Sequence, residues 1–286
     1  MPDDNIFNRI TRNYYELTSS EKKLASYIMA NGQLAQKMSI SEMSGQCNVA
    51  QATISRFSRK MGYDGYSDFR LAIAAAIATK TAFNAPLSGE IEEDDTVEIM
   101  GEKIAADEIA AINETKALLK AERIRRAADI LQRADKVLCM GQGASMLMAE
   151  EAAHVFATVF PGYFTVSDSH RQIISACNLT ARDAILYFSY SGSTKDLQDV
   201  LRIAKKNKVK TILVTRFPGS PGAANADMIL QCGFTESPLQ VGSITARVAQ
   251  LYLIDVLFSE LCRRDMDYCK ARREVMSEAL SDKHTT

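Results

Sequence analysis

Long apolar runs and paired cysteines are two features that this 286-residue sequence lacks. The longest apolar run, Leu71 to Ala78, is far shorter than the roughly 20 residues that a transmembrane helix needs. None of the six cysteines forms a CxxC pair, which argues against a zinc site and a disulfide framework and favours a reducing compartment. The first residues also lack the apolar segment of a secretory signal peptide. We therefore expect a cytoplasmic protein without a metal, a cofactor or a membrane partner.

A net charge is almost absent as well, because 34 basic side chains nearly balance 35 acidic ones and leave a formal charge of −1. Overall neutrality neither supports nor excludes a nucleic-acid partner, since the local charge decides. Residues 1–80 are mildly basic, with 10 Lys and Arg against 7 Asp and Glu. Residues 90–98 hold six acidic residues and no basic one, which is typical of a solvated linker. The length allows about two domains.

The type of periodicity changes along the chain. Residues 1–80 show only helical periodicity, and residues 81–96 show none. Helices are predicted at about 97–120, 122–133 and 244–264, and strand-like apolar runs lie at 136–140, 163–166, 184–188, 211–214 and 228–230. Strands that alternate with helices predict a parallel sheet with helices on both faces. We predict an all-α domain at 1–80, a linker at 81–96 and an α/β domain at 97–286.

A hydroxyl-rich turn follows the third strand-like run. Residues 189–194 read Ser-Tyr-Ser-Gly-Ser-Thr, and a predicted helix begins near Thr194. Hydroxyl groups and free backbone N–H groups at the positive end of a helix dipole form a cradle for phosphate. Another turn, Gly141 to Ser145, follows the first run; in chain order it is the first turn, and residues 189–194 form the second. Ligands of open α/β sheets bind beyond the carboxyl ends of the strands. The two turns together predict a site for a phosphate ester.

The segment from Ser39 to Met61 predicts two short helices around a three-residue turn. The second helix has an apolar stripe formed by Ile54, Phe57 and Met61. A DNA-recognition helix needs short polar side chains for base edges on its other face, together with Arg or Lys for guanine or phosphate. The polar face supplies this mix through Gln51, Thr53, Ser55, Arg56, Arg59 and Lys60. A generic helical bundle with a solvated face explains the periodicity equally well.

These motifs together resemble the RpiR-type transcriptional regulators. Residues 39–63 resemble the helix-turn-helix of that family, and residues 65–70, Gly-Tyr-Ser-Asp-Phe-Arg, look like its closing segment. Gly141-x-Gly143-x-Ser145 and Ser189-x-Ser191-Gly192-x-Thr194 resemble the two loops of the sugar isomerase (SIS) domain. The resemblance covers nearly the whole chain except the linker. One departure is Ala50, where the family commonly places a serine that caps the recognition helix.

The resemblance implies an N-terminal helix-turn-helix domain and a flavodoxin-like SIS domain with a five-stranded parallel sheet. It implies a regulator of carbohydrate metabolism, a homodimer or homotetramer whose affinity for double-stranded operator DNA changes when a phosphorylated sugar binds. The residues expected at the sugar are Gly143, Ser145, Ser189, Ser191, Gly192, Ser193 and Thr194, and Glu236 joins them by its position after the fifth strand. The residues expected at DNA are Gln51, Thr53, Ser55, Arg56, Arg59 and Lys60.

Two other functions stay open at this point. One is a phosphosugar isomerase with an accessory helical domain, for which Glu236 and His170 are the candidate bases. The other is a nucleotide-binding module, but the GxGxxG pattern is missing and Asp168 only nearly matches the position of a ribose-binding acid. We expect no catalysis, because neither candidate base is flanked by a clear partner.

Overall fold

The computed structural model describes residues 6–14, 17–83, 91–233 and 244–281. The described residues form two compact units, one up to Asp107 and the other from Glu108 onward. The regular structure of the first unit is helical, whereas the second combines helices with one sheet. No helix within the described ranges is long and apolar enough to cross a membrane.

The first unit is built around a single helical core. Its first six helices are α1 (Ile6–Asn13), α2 (Ser19–Ala30), α3 (Gly32–Ala35), α4 (Ile40–Cys47), α5 (Gln51–Lys60) and α6 (Tyr66–Phe83). The ring of Phe57 meets that of Phe69 edge-on, with centroids 5.6 Å apart. The predicted stripe of α5 is confirmed, because Ile54 and Phe57 are fully buried and Met61 is almost so.

Reciprocal caps begin two of these helices. The N–H of Glu21 donates to the Thr18 hydroxyl while the Glu21 carboxylate accepts from the N–H of Thr18, and Ser39 and Glu42 repeat this arrangement at α4. Hydrogen bonds from Ser39 lower the pKa of Glu42, and the bond from the backbone N–H of Ser39 has the largest effect. Glu42 thus carries its charge at the positive end of the helix. At α5 the N-cap is Ala50, which forms no side-chain cap.

The second unit alternates strands and helices, as predicted. Helix α7 (Val97–Leu118) precedes the alternating elements in chain order. The elements that follow are α8 (Ala121–Arg133), β1 (Val137–Gly141), α9 (Ala144–Ala157), β2 (Tyr163–Thr165), α10 (Ser169–Asn178), β3 (Ala184–Phe188), α11 (Lys195–Lys206), β4 (Lys210–Thr215), β5 (Met228–Gln231), α12 (Ile244–Arg264) and α13 (Met266–Ser281).

The five strands form one parallel sheet in the order β2-β1-β3-β4-β5. Side chains of α8, α9 and α12 cover one face, and side chains of α10 and α11 cover the other. Because both faces are covered, β1 and β3 are buried along their whole length and read as continuous apolar runs. This is the flavodoxin-like order. The switch point, at which the strand order reverses, lies between β1 and β3, and ligands of such sheets bind there at the carboxyl ends of the strands.

Some element boundaries differ from the sequence prediction. Helix α6 continues to Phe83, three residues into the predicted linker, because no Gly or Pro occurs before Pro86 to end it. The strands match within about one residue at each end, as boundaries read from patterns usually do. Helix α13 was not predicted, since its sequence is strongly charged and Cys269 is its one buried residue in the described part of the chain.

Candidate functional site

The turn at residues 189–194 lies at the switch point of the sheet, between β3 and α11. The N–H of Ser189 donates to the carbonyl of Val214 on β4 at 3.0 Å, which anchors the turn to the neighbouring strand. Gly192 has φ +62°, a left-handed conformation that favours glycine. A Cβ at this position would collide with the side chain of Ser220. The turn therefore requires glycine both for its backbone and for its close approach to the loop after β4.

The serine side chains of this turn hold its own backbone. Ser189 Oγ accepts from the N–H of Gly192 at 3.2 Å, and Ser191 Oγ accepts from the N–H of Ser193 at 3.3 Å. Ser193 Oγ donates to the carbonyl of Ser191 at 3.1 Å. The N–H groups of Gly192 and Ser193, expected to be free for a ligand, are thus used within the turn. The O–H protons of Ser189 and Ser191 have no acceptor among the residues described, so both hydroxyls can donate to a ligand.

Thr194 is the N-cap residue of α11, but its side chain forms no capping hydrogen bond. Its Oγ1 is buried and has no hydrogen-bond partner in the part of the chain that the structure describes. A buried hydroxyl without a partner costs about 1–3 kcal/mol, so such groups are uncommon and call for a physical explanation. The hydroxyl belongs to the same turn as the two serine donors.

The loop after β4 braces this turn from the side. Thr215 Oγ1 and the N–H of Arg216 both donate to the carbonyl of Tyr190, at 3.0 and 3.1 Å. The N–H of Gly222 donates to the carbonyl of Gly192 at 2.9 Å. This loop was not predicted at the site, although Thr215 is a further hydroxyl residue at the carboxyl end of a strand. Arg216, whose backbone N–H makes one of these bonds, has only 4% of its surface exposed.

The first turn lies next to the second, because Gly141 at the end of β1 pairs in register with Phe188 at the end of β3. Gly143 is the N-cap of α9 and adopts φ +56°, which again favours glycine. Ser145 follows in the first turn of that helix and is partly exposed. The N-termini of α9 and α11 therefore both lie at this edge, without side-chain caps, and both present positive dipole ends.

Glu236, the remaining residue predicted at the sugar, lies outside the described residues. Among those that are described, no three His, Cys, Asp or Glu side chains lie close enough together to hold a metal ion. Gln198 on α11 was not predicted at the site. Its Nε2 donates to the carbonyl of Ser193 at 3.1 Å and so holds the end of the turn at residues 189–194. The described cradle therefore offers hydroxyl donors and two helix N-termini, which suit an oxyanion.

The turn between α4 and α5 is fixed by a left-handed residue and by local hydrogen bonds. Asn48 ends α4 in the left-handed conformation, with φ 50° and ψ 52°. Ser44 Oγ donates to the carbonyl of Val49 at 2.7 Å, and the N–H of Val49 donates to the carbonyl of Ser44. These bonds fix the direction in which α5 leaves the turn.

The predicted DNA-facing residues of α5 differ in their surroundings. Gln51, Arg56 and Arg59 are exposed, whereas Thr53 and Ser55 are half-buried. The Arg56 guanidinium donates to Thr53 Oγ1 at 3.4 Å. Lys60 is exposed, but its ammonium group lies 3.2 Å from the Glu21 carboxylate. A salt bridge to α2 thus holds Lys60, while the exposed arginines have the reach that base or phosphate contacts require.

Comparison with known proteins separates the same two parts of the chain. Residues 4–80 match the helix-turn-helix domain of the rpiR family, and residues 130–260 match the SIS domain. An HTH-type transcriptional regulator of Caldanaerobacter subterraneus subsp. tengcongensis is 33% identical over 264 residues, which cover 92% of this chain and 93% of that protein. The chain belongs to the RpiR family of transcriptional regulators. The predicted family is therefore confirmed.

Two further proteins match over similar lengths. HexR of Escherichia coli, an HTH-type transcriptional regulator, is 29% identical over 98% of this chain and 96% of its own. The structure of Vibrio vulnificus NanR complexed with ManNAc-6P has a TM-score of 0.63 at 23% identity, and covers 98% of this chain and 100% of that one. The likeness to NanR shows a shared fold. The chain is thus an HTH-type transcriptional regulator with a SIS domain.

Proposed function

We propose that this RpiR-family regulator binds a phosphorylated sugar in the cradle formed by the first and second turns, and that this ligand changes its affinity for operator DNA. The buried Thr194 hydroxyl carries the proposal, because it belongs to the same turn as the Ser189 and Ser191 hydroxyls and has no partner in the described structure. Three hydroxyl donors and the N-termini of α9 and α11 suit the acceptor oxygens of a phosphate monoester.

The similar proteins support this ligand class. The NanR structure was solved with ManNAc-6P, a phosphorylated sugar. A sugar isomerase domain of an RpiR transcription factor from Sphaerobacter thermophilus also has this fold, with a TM-score of 0.57 over 63% of this chain and 98% of that one. We propose that Gly143, Ser145, Ser189, Ser191, Gly192, Ser193, Thr194 and Glu236 line the sugar phosphate site.

The DNA contacts belong to the first unit. We propose that α5 enters the major groove, with Gln51, Thr53, Ser55, Arg56, Arg59 and Lys60 on the side that faces the DNA. One helix-turn-helix reads a short half-site, so we infer a homodimer or homotetramer that reads two half-sites an integral number of turns apart. The proposed domains are residues 1–80 and 97–286, with a linker between them.

A thermal-shift panel followed by a mobility-shift titration tests the proposal. The panel contains glucose 6-phosphate, fructose 6-phosphate, 6-phosphogluconate and N-acetylmannosamine 6-phosphate, each beside its unphosphorylated sugar. A ligand that binds the folded state alone stabilises it by about 2.7 kcal/mol at 100 times its Kd. We expect a shift with a phosphorylated member only, and a change in affinity for the protein's own promoter region with the same compound. Turnover of a panel member, lost in Glu236→Gln, would favour an isomerase instead.

A further inference from the structure

Gln172 on α10 is a fully buried polar residue, with none of its surface exposed. Ala176 and Leu179, one and two turns further along, face the sheet from the same side of the helix. A primary amide has two N–H donors and an oxygen that accepts two hydrogen bonds. At such a position it has to find its partners inside the protein, because burying polar groups without them is costly.

The carboxamide of Gln172 uses this full capacity. Its Nε2 donates to the carbonyl of Val166 at 2.7 Å and to that of Gly141 at 3.0 Å. Its Oε1 accepts from Nε2 of Gln142 at 3.1 Å and from the hydroxyl of Tyr187 at 3.2 Å. Two of the four partners are carbonyls, which only accept, so they fix which end of the amide faces which strand.

The short edge strand explains why an amide is needed at this point. β2 pairs with β1 only as far as Cys139, so Met140 and Gly141 extend beyond it. The backbone of Gly141 is buried, and a buried carbonyl requires a donor. Gln172 supplies the donor that a longer β2 would have supplied. The same side chain then reaches Gln142, which lies in the first turn, between β1 and α9.

Building on the phosphosugar site proposed above, we propose that Gln172 is a positioning residue for that site. It holds the backbone of Gly141 and the side chain of Gln142, and these two residues set the path of the turn that carries Gly143 and Ser145. A turn already ordered in the free protein loses less conformational entropy when a ligand binds. Gln172 acts on the sugar phosphate only through this turn.

Two variants separate positioning from general stability. Gln172→Met keeps a side chain of similar length and removes all four hydrogen bonds. Asn207→Ala is the matched control, because Asn207 donates to the carbonyls of Ala176 and Cys177 at 3.0 and 3.1 Å and so holds the opposite end of α10. Amide hydrogen exchange at residues 142–146 should become about tenfold faster in Gln172→Met, as expected for the loss of roughly 1.4 kcal/mol of local stability. Asn207→Ala should leave these rates near those of the wild type.

Binding provides the second measurement, with the panel sugar phosphate that stabilises the wild type most. Its Kd should rise about tenfold in Gln172→Met and stay near the wild-type value in Asn207→Ala, even where the two variants lose similar thermal stability. Gln142→Ala removes the link from Gln172 to the turn and leaves the other three hydrogen bonds of Gln172 in place. It should therefore also speed exchange at 142–146, and it decides the question if Gln172→Met does not fold.

Wild-type exchange at residues 142–146 in Gln142→Ala would overturn the proposal, and so would equal acceleration in Asn207→Ala. If no panel compound stabilises the wild type, the phosphosugar site is refuted for these ligands. The exchange rates still decide in that case whether Gln172 holds the turn.

Discussion

Replacing Thr194 by valine should change stability and ligand binding in opposite directions. The substitution exchanges a hydroxyl for a methyl group of nearly equal size at the N-cap of α11. In the free protein the hydroxyl makes no capping bond and has no partner among the described residues. Its removal therefore breaks no described hydrogen bond and relieves the burial of an unpaired polar group.

The expected magnitudes follow from a hydroxyl that is unpaired in the free protein and hydrogen-bonded to the sugar phosphate in the proposed complex. The free energy of unfolding should rise by about 1 kcal/mol in Thr194→Val, the low end of the cost of an unpaired buried hydroxyl. Sugar phosphate binding should weaken by about 10- to 100-fold, because a hydrogen bond to a charged group contributes roughly 1.5–3 kcal/mol. Chemical denaturation and isothermal titration calorimetry measure the two quantities on the same protein.

Thr215→Val is the matched control for this prediction. Thr215 Oγ1 donates to the carbonyl of Tyr190 at 3.0 Å and accepts from the N–H of Phe217 at 3.3 Å. The same chemical change should therefore destabilise the protein by about 1–2 kcal/mol. A loss of stability in Thr194→Val as large as that in Thr215→Val would refute the reasoning, and so would wild-type affinity of Thr194→Val for the sugar phosphate.

Three further substitutions test other parts of the structure. Arg56→Ala should weaken operator binding by about 1–3 kcal/mol at fixed salt while sugar phosphate binding stays unchanged; unchanged operator affinity would reject the placement of Arg56 at DNA. Ser191→Ala should weaken sugar phosphate binding by about one to two orders of magnitude in calorimetry and leave operator affinity without ligand near wild type; wild-type ligand affinity would mean that the cradle is misplaced. Ala50→Ser should raise the denaturation midpoint by adding a side-chain cap to α5, an effect of about 1 kcal/mol, and an unchanged midpoint would contradict it.

Much of the fold could be predicted from the sequence because its strands are buried on both faces. Such strands read as short apolar runs, and the run from Ala184 to Phe188 matches β3 at both ends. The end of α6 was harder to predict, because residues 81–83 show no apolar periodicity and include no residue that stops a helix. Helix α13 was missed for a related reason: it buries almost nothing within the described chain and so carries no strong pattern.

The positions of the two turns could be predicted, but their internal hydrogen bonding could not. A hydroxyl-rich sequence at a strand end shows where donors gather, whereas the partner of each donor depends on backbone dihedral angles such as φ at Gly192. Gln172 is 31 residues from the Gly141 carbonyl that it binds, and no sequence pattern joins them. One local signal was available, because glutamine is uncommon on a helix face that packs against a sheet.

The internal bonds of the second turn bear on how it would bind the proposed sugar phosphate. Ser189 and Ser191 each accept from an N–H of the turn, which fixes the two oxygen atoms in place. A hydroxyl that accepts through its oxygen retains its proton as a donor, and a phosphate monoester near neutral pH acts mainly as an acceptor. The N–H groups of Gly192 and Ser193 are thus bonded within the turn, and the hydroxyls that they hold in place are the donors left for a ligand. A turn built in this way pays its ordering entropy on folding, so binding an anion needs little rearrangement of the backbone.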